Sequence, residues 1–481
     1  MHDFKRNKVF PYIYWGLRSQ NHRGHQSHGI LTFDEKFHMY KGLDLVPKIK
    51  KGEIQKWLDQ LPGHVGIGSI RYTTSGGTDE QSLVKGIQPL LVQSEKTGVA
   101  ISFNGNIVNN HHLRRELKKK IPDFSYGCDA DLICGKLFMG MENGDLASSV
   151  RACMKDVEGA FSIAGVTKNG ELFAFKDPHG IRPLCCGYSE DHKICAVSSE
   201  TVGLDINGFE QGFEVRPGEL VIASKNGFTR EQLVRSEKKA FCCFEFAYFS
   251  RPDSTLGKKH VYEVREDFGR NLGREYPETA KKADIIMSIP ETGNDGAYGL
   301  HEETGVRWER ASRRHRYVTE RAFILLQRQR YSTIDRKINI LDRKIHGKSV
   351  AVVEDSIVRG DTTKVIIEKL RKQGANKVHV FVTFPRITSP CFYGIDMATY
   401  GELIGSRYGH EEIAKIIGAD TVNYQLLDDF VKATGMKKEE LCLGCITGKY
   451  PTPLAQKMAD KMKEKFENGF KETGRIYEAG C

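Results

Sequence analysis

Short apolar runs separated by turn signals dominate the first 235 residues. His64-Val65-Gly66-Ile67-Gly68-Ser69-Ile70, Val99-Ala100-Ile101-Ser102-Phe103 and Phe161-Ser162-Ile163-Ala164-Gly165-Val166 have the length and apolar content of strands. Ser75-Gly76-Gly77 and Lys168-Asn169-Gly170 read as turns between such runs. Helical patches, for example residues 131–141, lie among them, so this half reads as an α+β layered design. Arg216-Pro217-Gly218-Glu219 precedes one last strand, residues 220–223, and the charged stretch 230–239 reads as a linker.

The pattern then changes. Residues 283–289, 349–353 and 377–382 are apolar runs that alternate with helix-like segments. One such segment, 363–373, ends at Gly374 as a helix C-cap would. Strand–helix–strand alternation implies a parallel sheet. Residues 454–474 read as a charged helix, and the chain has no internal repeat or low-complexity tract.

Composition narrows the class. The chain has 481 residues, enough for two or three domains. At 39% hydrophobic and 10% aromatic content it can build real cores, which excludes general disorder. No apolar stretch approaches the roughly 18 residues of a membrane span, and Met1-His2-Asp3-Phe4-Lys5-Arg6 lacks the apolar core of a signal peptide. A cytoplasmic protein with no membrane partner is expected. The net charge of +10 is spread along the chain and fits an anionic small molecule as readily as nucleic acid. Twelve cysteines in a cytosolic chain point to metal, cluster or catalysis, and none lies in the first 127 residues.

The most informative segment runs from Val350 to Thr363. An apolar strand delivers Glu354 and Asp355 to its carboxyl end; Ser356, Arg359, Gly360, Asp361, Thr362 and Thr363 follow and open a helix. Free N–H groups and the helix dipole at that point favour a phosphate. Ligands of parallel sheets sit at the carboxyl ends of strands. The two acids suit ribose hydroxyls or a hard cation such as Mg²⁺. The plainer alternative is an ordinary strand–turn–helix with solvated acids.

The wording Asp355-Ser356-Ile357-Val358-Arg359-Gly360 resembles the phosphoribosyl-pyrophosphate (PRPP) motif of type I phosphoribosyltransferases, and in particular the glutamine PRPP amidotransferase family. The resemblance extends over nearly the whole chain. It includes His22-Arg23-Gly24, Arg71-Tyr72, Asn104-Gly105-Asn106, Asp177-Pro178-His179-Gly180, Ser250-Arg251-Pro252-Asp253, Cys391-Phe392-Tyr393-Gly394 and Gly448-Lys449-Tyr450-Pro451. It implies that residues 360–363 cradle the 5-phosphate and that Glu354 and Asp355 serve the ribose and Mg²⁺, with Thr292 joining the metal site. Glu354 and Glu291-Thr292 stand where the family usually has Asp and Asp-Ser. After Arg316-Tyr317-Val318 the family's Gly-Arg-Thr-Phe is replaced by Thr319-Glu320-Arg321-Ala322-Phe323, leaving Arg321 to supply the charge of a closing loop, with Arg328 and Arg330 nearby.

For the first half, the resemblance implies a glutamine site. Arg71 would clamp the carboxylate, Asn104 and Gly105 would form an oxyanion hole, and Asp129 would take the α-amine. Individually these residues also read as a surface strand arginine and a plain hairpin turn. The family's nucleophile is an N-terminal Cys that uses its own α-amine as base. The sequence as written starts Met1-His2-Asp3, a few residues after the expected Cys, and is therefore expected to lack glutaminase activity. Two readings stand: Met1 is internal to a slightly longer chain, or the protein is a glutaminase-dead relative.

Cys442-x-x-Cys445 alone fits zinc, redox chemistry or chance. The resemblance adds Cys242 and Cys391 and so implies the four thiolates of a [4Fe–4S] cluster, with a four-Cys zinc site as the alternative. Cys243 is the spare beside a ligand, and the other seven read as buried small hydrophobes.

Together these readings lead us to expect an N-terminal-nucleophile hydrolase αββα sandwich over 1–235, an α/β type I phosphoribosyltransferase domain over 236–453 and a helical tail over 454–481. The implied reaction joins glutamine-derived ammonia to PRPP, giving 5-phosphoribosylamine, glutamate and pyrophosphate. Purine nucleotides would inhibit, and the chain would form a homo-oligomer, a tetramer or dimer. The competing reading is a paralogue that uses free ammonia, or a PRPP- or nucleotide-binding regulator with an Fe–S sensor.

Overall fold

The computed structural model describes residues 1–72, 80–121, 127–315 and 335–470. The turn at Ser75-Gly76-Gly77, the loop carrying Arg321, Arg328 and Arg330, and Cys481 lie outside the described residues.

The first half contains strands β1 (His2–Asp3), β2 (Ser27–Phe33), β3 (Phe37–Leu43), β4 (Val65–Arg71), β5 (Leu90–Gln93), β6 (Gly98–Ile107) and β7 (Gly159–Thr167). They are followed by β8 (Leu172–Lys176), β9 (Cys185–Tyr188), β10 (Ile194–Ser198), β11 (Glu210–Glu214), β12 (Glu219–Ser224) and β13 (Gly227–Gln232). They form two antiparallel sheets, ordered β11-β9-β10-β1-β4-β2-β3 and β13-β12-β8-β7-β6-β5.

Alternation along β4 and β6 stacks the layers. Val65 and Ile67 of β4 point between the sheets, into a cluster with Leu31, Ala100, Val166 and Leu172. Gly66 and Gly68 face the other way; a Cβ on either would stand under 3 Å from side chains of Ile13 or Leu17, so glycine is what lets helix Phe10–Ser19 lie on the sheet. Val99 and Ile101 of β6 point outward, into a cluster with Leu132, Leu137 and Val150 of helices Asp129–Asn143 and Leu146–Asp156. Helix, sheet, sheet, helix is the expected αββα order.

One expectation needs correction. Residues 220–223 are not the last strand of this half, because β13 follows and pairs with β12 from Glu219↔Gln232 to Ser224↔Gly227. Residues 230–232 therefore belong to a strand, not a linker. β13 is a polar edge strand with no apolar alternation, held partly by Arg230, which donates to Glu219 at 2.9 and 3.0 Å and stacks on Phe213.

The second half is built on a four-stranded parallel sheet, Ile285–Ser288, Ser349–Glu354, Lys377–Val382 and Thr421–Tyr424, in that spatial order. Val350, Val352 and Val380 pack on one face against Ile366, Leu370 and Ile417 of helices Asp361–Lys372 and His410–Ile417. Ile286, Ala351 and Val353 pack on the other against Leu272 and Leu300 of helices Val261–Glu275 and Gly293–Thr304. A near-continuous apolar strand such as Val350–Val353 is what burial on both faces demands. The helix expected at 454–474 spans Pro453–Glu467. It buries Ala455, Met458 and Met462 beside the two-residue strands Phe241–Cys242 and Leu441–Cys442, which run parallel.

Candidate active site: two cavities with a common wall

The inter-sheet layer changes character along β4 and β6. Past Val65, Ile67 and Ala100, the same faces present Ser69, Arg71, Ser102 and Asn104, which line a cavity of about 190 Å³. Arg71 is only 9% exposed, and its guanidinium lies over Gly86, where a Cβ would stand 2.1 Å from it. Asn104 and Gly105 lie inside β6, with Gly105 opposite Phe161, so they are not a hairpin turn. A Cβ at Gly105 would stand 1.9 Å from the Ala160 carbonyl oxygen, so only glycine fits. The Asn104 Nδ2 and Ser102 Oγ are buried and have no hydrogen-bond partner among the described residues. A guanidinium and an unspent amide donor in one small cavity can hold a carboxylate and an oxyanion.

Asp129 is buried, but its carboxylate accepts from Ile107 N at 2.7 Å and Asn110 Nδ2 at 3.1 Å, fixing the turn after β6. Its neighbours Cys128 and Ala130, and not Asp129 itself, line the cavity. Burial pushes the Cys128 thiol up to about 12, so it is not a ready thiolate. Met1 also lines the cavity; its α-amine donates to Gly66 O at 2.7 Å, and burial lowers the amine to about 5.

The second cavity, about 620 Å³, opens at the carboxyl ends of the parallel strands. Strand Ser349–Glu354 delivers Glu354 and Asp355 to it, and Gly360, at φ +86°, turns the chain into helix Asp361–Lys372. That helix's first N–H groups face the cavity, which Ser356, Arg359, Asp361, Thr362 and Thr363 also line. The Thr363 hydroxyl donates to Glu354 and the Thr292 hydroxyl to Asp355, which brings Thr292 beside the acids. Ser356 Oγ donates to Asp355 at 2.6 Å. Burial, and then the adjacent Asp355, push Glu354 up to about 8; burial raises Asp355 as well. Two crowded, desolvated carboxyls beside an anion cradle are suited to a cation carried by a phosphorylated, hydroxyl-bearing ligand. Arg359 is anchored at the edge of the loop by Glu402, donating through Nε at 2.8 Å.

Tyr72, Phe249 and Gly394 line both cavities. Beside this wall lies a buried charge cluster that the sequence did not reveal: Arg23 and Arg182 with Glu200 and Glu245. Burial alone would raise both glutamates, but Arg23, with His22 at Glu200 and Arg182 at Glu245, holds them below the usual carboxylate range. Its one legible trace is Glu245 inside the apolar run Phe241–Phe249, since a lone acid there needs a buried partner. Asp295 and Arg265, which also line the second cavity, were equally invisible.

The four expected cluster cysteines fall in one buried core cluster, and Cys242 pairs across the short strands with Cys442. Burial pushes Cys242 up to about 12 and raises Cys391 and Cys442. Among the described residues no three His, Cys, Asp or Glu side chains stand close enough to hold a metal ion. The donor chemistry, four dry thiols, fits a thiolate-bound group, because a metal would supply the charge that burial withholds.

The fold and the two cavities define a glutamine amidotransferase of the N-terminal-nucleophile hydrolase type joined to a type I phosphoribosyltransferase. A glutamine amidotransferase domain family matches residues 79–205. The chain is 36% identical to the amidophosphoribosyltransferase of Methanocaldococcus jannaschii, covering 94% of this chain and 97% of that one. It is 34% identical to the Bacillus subtilis amidophosphoribosyltransferase, covering 92% and 91%. The solved structure of B. subtilis glutamine PRPP amidotransferase complexed with ADP and GMP superposes with a TM-score of 0.83 at 33% identity, covering 93% of this chain and 96% of that one. The chain belongs to the amidophosphoribosyltransferase family.

Proposed function

We propose that the chain converts PRPP to 5-phosphoribosylamine and pyrophosphate, using ammonia drawn from glutamine or from solution, as the first step of purine synthesis. The observation that carries the reading is the common wall of Tyr72, Phe249 and Gly394, which sets the inter-sheet cavity directly beside the phosphate cleft. Arg71 binds the glutamine carboxylate, Asn104 and Gly105 hold the oxyanion, and Asp129, which accepts from Ile107 N and Asn110 Nδ2, orders the turn beside them. Gly360, Asp361, Thr362 and Thr363 take the 5-phosphate; Glu354 and Asp355 take the ribose hydroxyls; Ser356, Arg359 and Arg321 serve the pyrophosphate.

At C1 of PRPP the new C–N bond forms as the C–O bond to pyrophosphate breaks, and the attached nitrogen gives up a proton to water. The protein's part is position and charge. Mg²⁺, held near Thr292, Glu354 and Asp355, would neutralise the departing pyrophosphate. A [4Fe–4S] cluster on Cys242, Cys391, Cys442 and Cys445 would tie the segment before Glu245 to the C-terminal helix. The division at residues 235 and 453, inhibition by purine nucleotides, a homo-oligomer and a cytoplasmic location complete the reading.

The test is pyrophosphate release from PRPP and Mg²⁺ with glutamine or ammonium. Release with at least one nitrogen source is expected; none with either overturns the reading.

A further inference from the structure

Ser69, Ser102, Ser162 and Ser198 all line the inter-sheet cavity, but they use their hydroxyls differently. Ser162 Oγ donates to Arg182 O at 3.0 Å, Ser198 Oγ to Glu200 O at 2.7 Å and Ser69 Oγ to Gln88 Oε1 at 3.5 Å. Ser102 Oγ is buried and has no hydrogen-bond partner among the described residues. Its place in β6 makes that a cost without structural return. Ser102 stands opposite Ala164 in the ladder, which uses its backbone and not its hydroxyl. Ala100, two residues earlier on the same face, packs into the apolar layer with Leu31 and Val166. An alanine at 102 would continue that layer and leave no polar group unspent.

Asn104, two residues later on the same face, carries another unspent donor, its Nδ2. Such positions lie about 6.6 Å apart along a strand. One polar group between the two side chains therefore reaches both at about 3 Å. On the facing sheet β4 presents the buried Arg71 to the same cavity of about 190 Å³. A guanidinium on one wall and two neutral donors on the other suit an amino acid whose side chain ends in an oxygen.

We propose that the Ser102 hydroxyl donates to the oxygen at the end of the bound amino acid's side chain, beside Asn104. It thereby sets the cavity's preference for a side-chain amide or carboxylate over an apolar end. The inference rests on the glutamine site proposed above and adds to it a residue that reads the ligand. An amide or carboxylate gives the buried hydroxyl the partner it lacks. An apolar side chain of the same length leaves Ser102 and Asn104 both unsatisfied, and a site built to hydrogen-bond a ligand rejects the analogue that cannot. Among the described residues nothing else uses the hydroxyl, so removing it acts on the ligand and not on the fold.

The test compares two probes with the same carbon skeleton, L-glutamate and L-norvaline, by calorimetry on the full chain. The wild type should bind glutamate at least about tenfold more tightly than norvaline. Ser102→Ala should weaken glutamate about tenfold and leave norvaline within about threefold, so the preference collapses. Ser102→Thr, which keeps the hydroxyl, should keep the preference even where both affinities fall. PRPP with Mg²⁺, binding Ser102→Ala as it binds the wild type, reports an intact fold. A serine with a merely structural role would weaken both amino acids alike or neither. A wild type without the preference, or a Ser102→Ala variant that keeps it, overturns the inference alone. A wild type that binds PRPP but neither amino acid overturns the glutamine site, and this inference with it.

Discussion

Gly394, from the second half of the chain, lies against Gly105, from the first: a Cβ at Gly394 would stand 3.1 Å from the Gly105 carbonyl oxygen and 3.0 Å from an Arg182 guanidinium nitrogen. Gly394 also holds φ +95°, where a side chain is strained by about 1 kcal/mol. Gly394→Ala should therefore press on the oxyanion donor from the far side of the wall. Binding of L-glutamate in the inter-sheet cavity should weaken about tenfold, since small displacements at a site are costly. An unchanged glutamate affinity would show that the contact has no bearing on that cavity.

Thr363 opens the phosphate helix and spends its hydroxyl on Glu354. Thr363→Val keeps the shape and removes that donor, leaving a buried carboxyl unsupported. PRPP binding should weaken about tenfold, on the order of one lost buried hydrogen bond, with glutamate binding in the other cavity unaffected. Titrating both ligands into the variant checks the pair of outcomes together.

Asp295 sits in the first turn of helix Gly293–Thr304, where the dipole favours its charge, yet burial pushes it up to about 6. Between about pH 4 and pH 6 the native carboxyl holds a proton that the unfolded one has lost, so stability falls as pH rises through that window. Asp295→Asn removes the penalty. At pH 7.5 its denaturant midpoint should rise by the equivalent of about 1–2 kcal/mol, discounted for partial exposure, and at pH 4 it should match wild type. Equal midpoints at both pH values would place Asp295 in water.

Cys243 is a built-in control for the cysteine cluster, because it is buried beside Cys242 but was assigned no ligand role. Protein purified without oxygen should carry iron and acid-labile sulfide in equal amounts. Cys442→Ser should lose both, and Cys243→Ser should keep them. A single zinc per chain, or metal retained in Cys442→Ser, would assign a different centre.

Much of the fold was legible because periodicity and punctuation coincide. The apolar strand ending in Glu354-Asp355, Gly360 at positive φ and the amphipathic helix to Lys372 each carry a local signal. β13 carries none, since an edge strand with only one neighbour need not alternate. Asn104-Gly105 looked like a turn because polar residues interrupt an apolar strand; they do so where the inter-sheet layer opens into a cavity. Of the charge cluster only one trace was legible, Glu245 inside an apolar run. Arg23 and Glu245 lie 222 positions apart, and pairing over such a distance is a property of the fold.

The most direct test of the central claim follows nitrogen to carbon. PRPP and Mg²⁺ are incubated with the chain and either ¹⁵N-ammonium or amide-¹⁵N glutamine, and the sugar phosphate is identified by mass. The account predicts ¹⁵N on C1 of ribose 5-phosphate with an equal amount of pyrophosphate. PRPP left intact with both nitrogen sources, or hydrolysed without taking up label, would contradict it.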